Sequence, residues 1–315
     1  MPVIKALDLA YGRLRSPDLD RQEEFLTDFG MVRAERTKNA LYMRGTDAPH
    51  HIHVTELGEP RHVGIAVHAA GMDDLEKVSR LPGASQIEDI DEPGGGRRVR
   101  LTDPDGYQVE VIHGMAMLPP VPVKRPAVNS GNDKLRRKGE LFRIESGPSH
   151  VKRFGHFVIM SKNFEQTLAW YRETLGFLCS DEVYSGEKTN IVGSFNRLDR
   201  GEDYVDHHAF FCIRGEKSGL NHLSFEAADI DDIMVGHEHL SNKGKYRHMW
   251  GIGRHLIGSQ FFDYWADPWG RVHEHWADSD VLNAHTPSNL VERGPGTAGP
   301  WGQPLPQVFA GHASP

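Results

Sequence analysis

The stretch Asp103-Pro104-Asp105-Gly106-Tyr107-Gln108-Val109-Glu110 returns as Asp267-Pro268-Trp269-Gly270-Arg271-Val272-His273-Glu274, so one turn-and-strand unit recurs at an offset of 164, from Glu110 to Glu274. An internal repeat of this period confines the chain to a duplicated architecture. In each copy Asp opens a type I turn, Pro presets φ at the second position and Gly closes it, so a strand should begin at once. Along Val272-His273-Glu274-His275-Trp276 the period of two puts Glu274 on one face with Val272 and Trp276, and His273 and His275 on the other. A carboxylate is thereby aimed into an apolar wall, which is costly unless it is paired or bound to a metal.

The repeat extends upstream. Ser16-Pro17-Asp18 leads to Phe25 and Phe29-Gly30-Met31, and Ser161-Lys162-Asn163 leads to Tyr171 and Leu175-Gly176-Phe177. In the second copy Phe164, Leu168, Tyr171 and Leu175 fall on one helical face with a closing Gly. Each half reads as strand, helix and short strands, twice over, which predicts an α+β fold of two domains, each of paired βαβββ modules. Composition places the seams: residues 1–118 form an N-terminal domain, Pro, Gly and basic residues make 119–147 a linker, 148–282 form a C-terminal domain, and 283–315 read as an extended arm rich in Pro and Gly. His62 is read as standing where His222 stands and Tyr11 where His156 stands. On that reading the first half is a degenerate copy without a metal.

Two isolated histidines lie in apolar strand-like runs, His156 in Gly155-His156-Phe157-Val158 and His222 in Asn221-His222-Leu223-Ser224. A lone histidine is usually a satisfied core or surface residue. Two neutral imidazoles with the carboxylate of Glu274, however, form the facial donor set that suits non-haem Fe(II) with positions left for O₂ and an organic substrate. Mn(II) is the second choice, because the same donors accept it. A net charge of -8 argues against nucleic acid as a partner, and no apolar run is long enough to span a bilayer. Two cysteines, Cys179 and Cys212, fit a reducing compartment, and with no charged-then-apolar start the expected location is the cytoplasm.

Gly253, His255, Tyr264, Asp267, Pro268, Gly270 and Glu274 together make the chain resemble the type I extradiol ring-cleavage dioxygenases of the vicinal oxygen chelate superfamily, over nearly all of residues 1 to 285. Asp263 departs from the pattern, which usually has an apolar residue there. The resemblance implies a vicinal oxygen chelate, glyoxalase-like fold, Fe(II) on His156, His222 and Glu274, and His255 and Tyr264 on the hydroxyl oxygens of an aromatic diol. It also implies an acid-base histidine 15 residues before the second ligand, which is His207, with its neighbour His208 as the alternative. Val158, His208, His248, Trp250 and Arg254 are expected to line the pocket for substrate and O₂. The implied reaction is extradiol cleavage of a substituted monocyclic catechol, such as a methylcatechol or trihydroxytoluene, by a homo-oligomeric enzyme in aromatic catabolism. Two rivals stand beside it: a metal-dependent isomerase or lyase of the same superfamily, which would need a fourth protein ligand, and a non-catalytic protein that captures an aromatic ligand.

Overall fold

The computed structural model describes residues 1–294 and 299–315. The first half runs β1 (Asp8–Ser16), α1 (Leu19–Asp28), β2 (Val32–Arg36), β3 (Ala40–Arg44), β4 (His53–Leu57), β5 (Arg61–His68), α2 (Met72–Val78), β6 (Glu88–Asp89), β7 (Arg97–Thr102) and β8 (Gln108–His113). The second runs β9 (Phe154–Ser161), α3 (Phe164–Leu175), β10 (Leu178–Tyr184), β11 (Ile191–Arg197), β12 (Val205–Asp206), β13 (Phe210–Arg214), β14 (Gly219–Glu226), α4 (Ile230–Lys243), β15 (Arg247–Arg254), β16 (Phe261–Ala266) and β17 (Val272–Ala277). After these come β18 (Val281–Leu282), β19 (Asn289–Glu292) and the short α5 (Gln307–Ala310). Among the described residues the first half forms a sheet ordered β2-β3-β4-β1-β5-β8-β7-β6, and the second one ordered β15-β16-β17-β14-β9-β13-β11-β10-β19. Each is thus two βαβββ modules joined edge to edge, at β1-β5 and at β9-β14. No helix among the described residues is long and apolar enough to cross a membrane.

Local chemistry explains these elements. α3 buries Phe164, Leu168, Tyr171 and Leu175 on one face and stops at Gly176, whose φ of 79° is the left-handed conformation that glycine adopts without strain. Asp18 caps α1 by accepting from the amides of Asp20 and Arg21. In the repeated turns the Gly106 amide donates to the Asp103 carbonyl at 3.0 Å, and the Gly270 amide to the Asp267 carbonyl at 2.9 Å.

The two halves share one continuous core, in which Leu14, Phe25 and Phe29 of the first sit with Phe154, Phe157 and Phe225 of the second. The repeated turns lock them together reciprocally. Arg271, buried beside Asp267, donates to Ser16 Oγ at 2.7 Å and Gln22 Oε1 at 2.9 Å at the start of α1. Asp105 in turn accepts from Asn163 Nδ2 at 3.0 Å and Thr167 Oγ1 at 2.7 Å at the start of α3.

The register corrects one reading of the repeat. Tyr11 stands opposite Ala66, which neighbours Glu110, just as His156 stands opposite Ser224, which neighbours Glu274. Both strand pairs carry a bulge nearby, at Val63 and at Asn221, so Gly64 corresponds to His222 and His62 to Leu220. The order of small and apolar residues around His62 imitates that around His222, but the bulge sets which residue faces the cup. No side chain could replace Gly64, because a Cβ there would fall 1.7 Å from the Gln108 carbonyl oxygen. The first cup is filled by Arg13, whose Nε lies 2.9 Å from Glu110 Oε1, while the Tyr11 hydroxyl donates to Glu110 Oε2 at 2.6 Å and Arg98 adds a contact at 3.2 Å.

The final segment is more than an extended arm. β19 pairs in parallel with β10, and Ser314 exchanges two backbone hydrogen bonds of 2.8 Å with Leu220. Phe309 of α5 is buried on the second cup. Pro295 and Gly296 lie outside the described residues.

Candidate metal centre

The second sheet brings His156 of β9, His222 of β14 and Glu274 of β17 together. Ser224 pairs with both His156 and Glu274, which sets those two at one level on either side of β14. His156 Nε2 lies 2.9 Å and His222 Nε2 3.2 Å from Glu274 Oε2, and the two nitrogens are 3.4 Å apart. All three side chains are buried, Glu274 completely.

The residues fit a divalent ion. Glu274 Oε1 is buried without a hydrogen-bond partner, an expensive state for a carboxylate oxygen unless a cation reaches it. Burial would raise the Glu274 carboxyl, but the imidazoles of His156, His222 and His255 overrule it and hold the group well below the usual carboxylate range. Burial also pushes His222 down to about 4 against the pull of Glu274, which leaves its ring neutral and able to donate a lone pair. His222 Nδ1 lies 2.7 Å from Asn221 Oδ1, so the proton rests there and Nε2 faces the cluster. Ser224 Oγ donates to Glu274 Oε2 at 2.5 Å. Two nitrogens and a carboxylate suit a first-row transition ion.

Three further side chains approach this cluster. His255 Nε2 is 2.8 Å from the Tyr264 hydroxyl and 3.8 Å from Glu274 Oε1. Burial, then the Glu274 charge, raises the Tyr264 phenol well above its ordinary range, so it stays a donor. The ring of His208 lies 4.2 Å from that of His156. Of the two candidates it is His208 that stands beside His156; His207 Nε2 is held 2.5 Å from Asp181 Oδ2 and its Nδ1 is 3.1 Å from His208 Nδ1. Successive residues of an extended segment point to opposite faces, so only one of the pair can face His156, and a count of residues back from His222 does not tell which.

Of the expected pocket residues, Val158 is buried opposite His222 and Trp250 stacks on Tyr264, centroids 5.5 Å apart and planes 7° apart. Arg254 and His248 lie elsewhere. The Arg254 guanidinium sits over Phe261 at 4.3 Å and pairs with exposed Asp278. A register shift in the β15-β16 ladder between His248 and Trp250 turns them to opposite faces, where strict alternation would have kept them together. His248 therefore joins Asp263 behind the sheet, its Nε2 2.8 Å from Asp263 Oδ1. Sequence reasoning missed Asn221, Ser224, Asp181 and Phe309. The first two flank the ligand in sequence and could have been read as its supports, whereas nothing local signals that Phe309 packs 4.7 Å from the Tyr264 ring.

Residues 153–274 match the Glyoxalase/Bleomycin resistance protein/Dioxygenase superfamily, so that stretch is a domain of this type. The chain is 29% identical to metapyrocatechase 2 of Cupriavidus necator over 273 residues, covering 86% of this chain and 81% of that one. Its fold is that of homoprotocatechuate 2,3-dioxygenase from Brevibacterium fuscum, with TM-score 0.81, 17% identity and coverage of 99% and 94%. It is equally that of a Mn(II)-bound glyoxalase from Novosphingobium aromaticivorans, with TM-score 0.79, 24% identity and coverage of 99% and 96%. The architecture is the vicinal oxygen chelate fold.

Proposed function

We propose that this chain, a relative of the metapyrocatechases, is an extradiol dioxygenase that opens a substituted monocyclic catechol with O₂, holding Fe(II) on His156, His222 and Glu274. The observation that carries this reading is the convergence of three buried donor atoms within 4.8 Å of one another, with His208, His255 and Tyr264 beside them. Bound there, iron would chelate the diol and let electrons pass from the ring to O₂. Tyr264 and His255, already hydrogen-bonded to each other, orient the diol oxygens by donating to them. His208, against His156, accepts a proton from the substrate and returns it as the ring opens. The carbon–carbon bond beside the diol breaks, both atoms of O₂ enter the product, and no external reductant is needed.

The likeness to a glyoxalase favours one rival, a lyase or isomerase with four protein ligands. By the pseudo-twofold relation between the two modules, the place corresponding to Glu274 is the residue on β13 paired with Val158, and that residue is Phe211. A phenyl ring cannot ligate, which supports the three-ligand reading over this rival. We also place the enzyme in the cytoplasm, in keeping with free thiols at Cys179 and Cys212, and as a homo-oligomer, which light scattering checks. Anaerobically purified protein given ferrous or manganous ion, air and a panel of catechols should form a yellow product and consume one O₂ per diol. No colour and no O₂ uptake with any catechol would defeat the reading.

A further inference from the structure

Behind the sheet, away from the first cluster, Asp263 is a fully buried carboxylate on β16. Two imidazoles close on it. His248 Nε2 from β15 lies 2.8 Å from Oδ1, and His237 Nδ1 from α4 lies 3.1 Å from Oδ2 and 3.2 Å from Oδ1. The rings meet edge to face with centroids 4.9 Å apart, and the three ligand atoms lie within 4.8 Å of one another. Trp265 Nε1 donates to Asp263 Oδ2 at 2.6 Å, an outer contact of the kind that fixes a ligating carboxylate. The backbone at Gly251 comes so close that a Cβ would fall 2.8 Å from Asp263 Oδ1, so the oxygen keeps its space only because that residue is glycine.

We propose that His237, His248 and Asp263 form a second divalent-cation site, suited to a zinc-like ion with water completing the shell. Two imidazole nitrogens and one carboxylate oxygen are a donor set for such ions, which take these atoms at roughly 2.0–2.2 Å. The side chains of His237 and His248 are 26% and 28% exposed, which gives the ion a route from solvent and room for water. An ion held there fastens α4 to β15 and β16. Tyr264 follows Asp263 directly on β16 and points to the other face, so the same ion braces the strand that carries it. The site stands whether or not the first centre cleaves rings.

Zinc(II) binding to the full chain tests this by equilibrium dialysis with metal analysis. Wild type should take up two equivalents and both His237→Ala and His248→Ala one, with affinity for the lost equivalent down by more than about 100-fold, since even a group behind a ligand is worth roughly 10–100-fold. His156→Ala, which disables the first centre, should still bind one equivalent and gain thermal stability from zinc, a gain abolished when His237→Ala is added. Both histidines are part-exposed, so folding of the variants is checked by circular dichroism. If wild type and both single variants take up the same number of equivalents, or the zinc-induced stabilisation of His156→Ala survives His237→Ala, the site does not exist and the three residues are only a shared ion pair.

Discussion

Replacing His62 by Asn should remove a defined part of the protein's acid sensitivity. His62 is buried, packs against Tyr107 at 4.9 Å between ring centroids, and its Nδ1 finds no hydrogen-bond partner. Burial, reinforced by the positive charges of Arg271 and Arg61, pushes it from 6.5 down to about 3. Above the unfolded value the ring is neutral in both states and costs nothing. As pH falls below about 6.5 the unfolded chain takes up a proton that the folded one refuses, so stability drops by up to ~1.4 kcal/mol per pH unit, or ~2.7 kcal/mol between pH 7.5 and 4.5. Urea unfolding of wild type and His62→Asn at four pH values between 7.5 and 4.5 isolates this contribution, because other titrating groups are common to both. The stability difference should be flat above pH 7 and then move against wild type with the slope of one proton. His62→Phe, which keeps a ring on Tyr107, should share that slope with a different offset. A difference that stays constant down to pH 4.5 would refute the assignment of His62 as a buried neutral base.

In the ferrous enzyme His208→Phe should retain iron and lose at least roughly 100-fold in kcat, the range for a general acid-base group, while His207→Phe loses less; steady-state kinetics with metal analysis decides between them. Asn221→Ala, which frees His222 Nδ1, should weaken iron binding by about 10–100-fold, with Asn221→Asp restoring it, read by chelator competition. Phe309→Ala removes the ring that packs on Tyr264 and should raise the kcat/KM ratio of a phenyl-substituted over an unsubstituted catechol by roughly 10-fold or more, the scale on which pocket volume discriminates. Arg13→Met takes the nearer guanidinium from Glu110 and leaves it Arg98 and Tyr11, so urea unfolding should show a loss of up to about 3 kcal/mol, the low end for breaking a buried pair.

Much of this was legible from residues because the signals are local. Asp-Pro-x-Gly turns force a strand to follow, and alternation along Val272 to Trp276 aims Glu274 away from His273 and His275, which lie against Phe29 in the core. The convergence of His156, His222 and Glu274 was readable for the same reason. Errors arose where alternation is interrupted. The bulge at Val63 moved the counterpart of His222 from His62 to Gly64, and the shift near Met249 carried His248 to the rear of the sheet. A bulge has no reliable marker in composition, since it is decided by how two strands settle against each other. Which of His207 and His208 turns toward His156 was hidden likewise, for it rests on Asp181, 26 residues away in sequence, which claims His207. Phe309 was invisible because its position depends on where the last residues cross the second sheet.

The two halves act as a control for one another. At the same position in the sheet each carries a buried glutamate, Glu110 at 1% and Glu274 at 0% exposure. In the first half the charge is met permanently, by Arg13 and Arg98 with a hydrogen bond from Tyr11. In the second, Val158 replaces Arg13 and His156 replaces Tyr11, so the guanidinium is gone and two imidazoles face the carboxylate instead. One of them, His222, is held neutral by burial, and one glutamate oxygen is left without a partner. A fold that compensates this carboxylate with a fixed cation in one copy and omits the cation in the other leaves room for a charge from outside the chain. A divalent ion would supply it with the coordination that two imidazoles and a carboxylate prefer. On the proposed function, the exchange of Arg13 for Val158 would separate a structural half from a reactive one, since it replaces a guanidinium that holds the fold by a small apolar side chain that leaves space beside the carboxylate.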